Sequence, residues 1–213
     1  IYMHQGFLDM AILQFRRACK LAPQNPDGLY NLGHALAHRG ELAEAQIHLT
    51  KAVQIDPGLQ EALLLLGSLE VRTGRLAQAC ERFEQVLITA PEEPEALAAL
   101  GQICLLRQDF KRAQQCLEQA LHYRPEHAQA LLLLAQVHRQ LKRLPKALTY
   151  VRKALRVEPQ NSQAHLLMGD LLWEKGSAAA AAEAWKLAKS IDPALITLQE
   201  LQQGADKRPG QSG

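Results

Sequence analysis

The chain holds 213 residues, of which 47% are apolar and 22% charged, with a formal net charge of +2. That apolar share is ample for a continuous core. No run of 18 apolar residues occurs, which excludes a membrane-spanning helix, and no signal peptide is visible. Four cysteines (Cys19, Cys80, Cys104, Cys116) lack C-x-x-C spacing, so they favour thiols in a reducing compartment, the cytoplasm, over disulfides or a metal cage.

Six prolines stand 34 residues apart: Pro23, Pro57, Pro91, Pro125, Pro159 and Pro193. Proline has no N–H and disfavours helix in the residue before it, so each one ends a helix. A period of this size marks a repeat array. Residues 1–25 form half a unit, with a second helix and only the end of a first, so further sequence is expected upstream. Full units follow at 26–59, 60–93, 94–127, 128–161 and 162–195. In 60–74, QEALLLLGSLEVRTG, apolar residues recur three and four apart and fill between, which predicts a helix buried on most of its circumference. Gly74 ends it in the left-handed conformation, as Gly40 and Gly176 do in their units. The second helix, near 76–90, is more amphipathic. Residues 194–203, ALITLQELQQ, predict a short helix with an apolar and a polar side, closing the array with a cap at 196–203. Residues 204–213 read as a disordered tail or linker.

Small residues keep the same period. Ala11, Ala45, Ala79, Ala113, Ala147 and Ala181 form one column, and Gly33, Gly67, Gly101, Ala135 and Gly169 another. Large columns oppose them, among them Phe15, Leu49, Phe83, Leu117, Val151 and Trp185. Large against small is how packed layers interdigitate. A helix pair cannot hide its apolar faces alone, and stacking hides them.

At these residues the chain resembles the tetratricopeptide repeat family. The segments LYNLGHAL…A…L…AVQIDP (29–57) and LLLLGSLE…A…F…VLITAP (63–91) match most of the family pattern. The first aromatic of that pattern is replaced by Leu29, Leu63, Leu97, Leu131 and His165, and the tyrosine column is mostly lost. The resemblance implies an all-α, right-handed superhelical solenoid of antiparallel helix pairs with a 34-residue period. It also implies a binding scaffold rather than an enzyme.

Catalytic and cofactor motifs are missing from the sequence. It has no Gly-rich phosphate loop, no G-x-S-x-G and no H-E-x-x-H, and no cofactor is expected. His34 and His38 share a helix face at the spacing of two metal ligands, with His4 one unit earlier. The favoured reading is polar histidines lining a groove, with no metal site. Cys104 and Cys116 read as buried, inert thiols. Trp185 keeps the large core column, whereas Trp173 falls on a groove-facing place.

In the family the first helices line a concave channel. Carried over by spacing, the partner-binding groove is Tyr30, His34 and His38, then Leu64, Ser68, Val71 and Arg72. It continues through Gln102, Leu105 and Leu106, then Leu132, Gln136, Arg139 and Gln140, and ends at Leu166, Asp170 and Trp173. The lysine and asparagines that hold an EEVD tail in the family's co-chaperones are absent, and so is the asparagine ladder of its sugar-transferase arms, Asn31 excepted. What remains is a channel with an apolar middle and polar ends, suited to a helical or apolar segment of a partner protein. The fourth unit, 128–161, carries seven basic residues against one acidic. Lys142, Arg143, Lys146, Arg152, Lys153 and Arg156 form a basic patch on its turn and second helix. A solvated face is one reading, and docking of an acidic partner is the sharper one. Single-stranded nucleic acid is disfavoured, because only Tyr150 interleaves the cluster. The expected function is a protein–protein interaction scaffold. The alternatives are the targeting arm of a larger transferase or oxygenase, an assembly or secretion chaperone, or a surface used in self-association.

Overall fold

The computed structural model describes residues 2–195, with side chains from residue 7 onward. The predicted cap helix, the 204–213 tail and the His4 side chain lie outside the described residues. Among those described there are eleven α-helices and no strand. They fall into two compact units, one ending at Ile103 and one beginning at Cys104.

The first unit holds α1 (Tyr2–Leu21), α2 (Pro26–Arg39), α3 (Leu42–Ile55), α4 (Gln60–Arg72), α5 (Leu76–Thr89) and most of α6 (Pro94–Leu106). In chain order each helix of this unit from α1 to α5 packs on the next. The second unit holds the end of α6, then α7 (Phe110–Tyr123), α8 (Ala128–Gln140), α9 (Leu144–Val157), α10 (Ser162–Glu174) and α11 (Ala178–Ile191). Helices α1, α3, α5, α7, α9 and α11 each stop two residues before a periodic proline. Asn25 and Asn161 start α2 and α10, their side chains accepting from free N–H groups of the first turn.

The turn inside each helix pair is a single device used five times. The residues at 40, 74, 108, 142 and 176 all have positive φ: Gly40 at 90°, Gly74 at 78°, Gln108 at 62°, Lys142 at 57° and Gly176 at 87°. One residue further on, a backbone N–H reaches five residues back, from Glu41 to Leu36, Arg75 to Glu70, Asp109 to Cys104, Arg143 to His138 and Ser177 to Leu172. This closes the orphan carbonyls at the helix end. Glycine was expected at three of these turns. At the other two, Gln108 and Lys142 take the left-handed conformation against their own preference.

The small and large columns meet inside the pairs α2–α3, α4–α5, α8–α9 and α10–α11. A Cβ on Gly33 would lie 2.7 Å from Leu49 Cγ, and one on Gly67 would lie 2.8 Å from Phe83 Cζ. On Gly169 it would lie 2.3 Å from Trp185 Cδ1. Where alanine replaces glycine, at Ala135, the facing residue shrinks to Val151, and both are buried in one cluster with Leu131, Ala147 and Leu171. A larger residue thus faces a glycine and a smaller one faces alanine, as close packing requires.

One expectation is corrected. The 1–25 segment was predicted to contain the end of one helix and then a second. Instead α1 runs unbroken through Gly6.

Candidate functional site

The predicted groove residues divide between the two units. In the first, α2 presents Tyr30, His34 and His38 at four-residue steps, which stacks them along one face. The Tyr30 and His34 rings are 5.9 Å apart, and those of His34 and His38 are 4.6 Å apart, edge to face. Both histidines are exposed. Partial burial pushes the His34 imidazole below its ordinary pKa, and the charge of His38 adds to that. Among the described residues no group of three or more His, Cys, Asp and Glu side chains could hold a metal ion. On α4, Leu64 and Val71 are half-buried, and Ser68 is exposed, with its hydroxyl donated back to the Leu64 carbonyl at 2.8 Å. Arg72 is exposed, and Gln102 on α6 is half-buried.

In the second unit the structure brings five of the predicted residues to one cavity. Leu105 and Leu106 at the end of α6 meet Gln136, Arg139 and Gln140 on α8, and Gln108 and Phe110 complete the lining. The cavity measures about 470 Å³, within the size range of sites that take a side chain or small ligand. Leu106 is 57% exposed and places an apolar side chain at the cavity lining. Leu132 is not part of this surface. It is 4% exposed and lies in the core cluster, because α8 buries that face against its neighbours.

Beyond the cavity, Arg139 is held between two carboxylates on α10. It reaches Asp170 Oδ2 at 3.3 Å and Glu174 Oε1 at 2.7 Å. Asp170 also accepts the Trp185 indole N–H at 3.0 Å. Burial raises the Asp170 carboxyl above its ordinary pKa, the Trp185 bond and Arg139 oppose that, and Glu174 adds to it. Trp173 is half-buried, 5.6 Å from Trp185, and Leu166 is half-buried on the same helix. Trp185 is therefore a core residue with a polar handle on the site, where the sequence showed only packing. Arg139, expected in the groove lining, has its charge matched within the chain by Asp170 and Glu174.

The six residues of the basic patch, Lys142, Arg143, Lys146, Arg152, Lys153 and Arg156, are all exposed. None is ion-paired among the described residues. Lys153 Nζ sits 5.5 Å from the Tyr150 ring centre, and that ring stacks on His138 at 5.3 Å.

Tetratricopeptide-repeat family models match along the chain at residues 1–40, 40–103, 94–119, 107–157 and 146–195. The chain belongs to the tetratricopeptide repeat family. Among solved structures, the Cut9–Hcn1 hetero-tetramer of the APC/C is similar over 96% of this chain, with 20% identity and a TM-score of 0.84. The chain spans only 41% of that protein's length. The pilF protein of Pseudomonas aeruginosa is 20% identical with a TM-score of 0.76, over 97% of this chain and 93% of its own. YrrB, a tetratricopeptide protein described as having an unusual peptide-binding site, is 19% identical with a TM-score of 0.59, over 90% of this chain and 97% of its own. At these identities the likeness is one of fold. A comparison with curated proteins found no match. Tetratricopeptide repeat proteins are generally non-catalytic scaffolds that bind proteins or peptides. No helix among the described residues is long and apolar enough to cross a membrane.

Proposed function

We propose that this scaffold captures a helical or apolar segment of a partner protein, and that the cavity of the second unit is where its anchor side chain sits. The observation that carries this reading is the exposed Leu106 beside half-buried Leu105 at the mouth of that cavity. An apolar anchor entering there would remove Leu106 from water. Gln136 and Gln140 line the same cavity and supply amide donors and acceptors for the flanking backbone. The peptide-binding site described for YrrB supports peptide capture as the kind of event to look for. With Arg139 already paired to Asp170 and Glu174, orientation of the segment falls to the two glutamines.

A random-peptide display library provides the ligand for the test. Peptides selected on the chain should carry a large apolar residue flanked by polar ones. Leu105→Glu should weaken their binding by at least ~2 kcal/mol, the usual worth of a central apolar anchor, with the helical circular dichroism unchanged. Full affinity in a folded Leu105→Glu variant would move the site elsewhere.

A second reading rests on the unpaired cations of the fourth repeat, which would dock an acidic partner. It predicts an association rate that falls steeply with salt.

A further inference from the structure

We propose that Cys104 and Cys116 are a redox pair that closes into a disulfide joining α6 to α7. The two positions are twelve residues apart, on facing sides of one helix pair. The same places in the neighbouring repeats show what that register brings together. At 70 and 82 it carries an ion pair, with Arg82 Nε 3.9 Å from Glu70 Oε1. At 138 and 150 it carries the stacked His138 and Tyr150 rings, 5.3 Å apart. The backbone is equivalent at the first of the two positions, since the carbonyls of Glu70, Cys104 and His138 all accept the five-residue-back bond of the turn, at 2.8, 2.9 and 2.8 Å. In the middle repeat the contact is made by two thiols, with Cys104 hydrogen-bonded to the Cys116 sulfur. Cys104 is buried, 7% exposed, and Cys116 is half-buried, so Cys116 is the thiol that a reagent reaches first.

The oxidant is a small disulfide of the glutathione class. Cys116 gives its proton to solvent, and its thiolate attacks one sulfur of the oxidised glutathione. The glutathione S–S bond breaks, one glutathione thiolate leaves and takes up a proton, and Cys116 holds the other half as a mixed disulfide. Cys104 then loses its proton, attacks Cys116 Sγ and expels the second glutathione. The two protein sulfurs are oxidised by two electrons, and one glutathione disulfide becomes two thiols. Burial raises the Cys116 thiol above its ordinary pKa while Arg112, one turn earlier, opposes that, so the first step is the slower one, and the second joins two sulfurs already hydrogen-bonded to each other. Cys104 immediately precedes Leu105, so the bridge ties down the end of α6 that lines the cavity.

The test incubates the native full chain with oxidised glutathione, quenches it in acid, alkylates free thiols and maps the digest by mass spectrometry. The wild type should yield the Cys104–Cys116 cross-linked peptide pair. Cys104→Ser should stop at the glutathione adduct on Cys116, because the resolving thiol is gone. A wild type that also stops at the adduct, that links Cys116 to Cys19 or Cys80, or that keeps Cys104 and Cys116 reduced while the urea-unfolded chain oxidises, would overturn the pairing. The wild-type arm stands alone if the serine variant fails to fold.

Discussion

Gly169→Ala tests the packing rule on which the whole array depends. The new Cβ would stand 2.3 Å from Trp185 Cδ1, 2.4 Å from Nε1 and 2.9 Å from Cγ. The indole must retreat by about 1 Å to restore ordinary contact, in a core where overpacking costs about 1–3 kcal/mol. That retreat also strains the 3.0 Å bond from Trp185 to the Asp170 carboxylate, and a hydrogen bond to a charged group is worth about 1.5–3 kcal/mol. Alanine returns about 1 kcal/mol through its better helix propensity. The net loss is about 3 kcal/mol by these figures. Urea unfolding followed by tryptophan fluorescence reads it directly, since the two tryptophans, Trp173 and Trp185, both lie at the site. Adding Trp185→Val recreates the Ala135–Val151 combination, so the two changes should couple favourably by about 1–3 kcal/mol. A Gly169→Ala variant as stable as the wild type would refute the small-against-large account.

Three further outcomes follow from the same geometry. Gln108→Gly and Lys142→Gly should each stabilise the chain by about 1 kcal/mol, because glycine takes positive φ without strain; calorimetry on the single variants reads this, and a loss would mean that the side chains do more than turn the chain. Glu70 is 3% exposed, and burial raises its carboxyl above the ordinary value of 4.5, against the pull of Arg82 and Arg75. The folded state therefore holds this proton more tightly than the unfolded one, so the Glu70 contribution is fully present below the ordinary value and is lost as pH rises through the higher folded value. The stability of Glu70→Gln relative to wild type should grow as pH rises above the ordinary carboxylate value of 4.5, and a difference that stays flat contradicts the raised carboxyl. Reversing Lys146, Arg152 and Lys153 to Glu should leave the helical fold intact, with the Lys153–Tyr150 ring contact costing about 0.5–1 kcal/mol, and should slow capture of an acidic partner if α9 docks one.

Much of this fold is legible as a period. The prolines, the Ala45 column and the Gly33 column locate both helices of a pair and the faces they bury. The left-handed turns at Gln108 and Lys142 were not legible by residue type, since neither residue favours positive φ, although both stand 34 residues from a glycine that does. Spacing also gives the direction of a side chain without its depth, which is why Leu132 read as groove lining and is in fact core. The Arg139 pairing had a signal, because Asp170 and Glu174 occupy the columns of Gln136 and Gln140 one repeat later. The contact of Cys104 with Cys116 needed the register of helix against helix, which a single thiol column does not carry.

Amide hydrogen exchange of the chain with and without a selected peptide tests the binding claim most directly. Capture at the cavity predicts slowed exchange at 105–110 and 136–140, where the lining residues sit, with α9 unchanged. Protection confined to 142–157, with none at the cavity, would contradict it and assign the partner to the basic face.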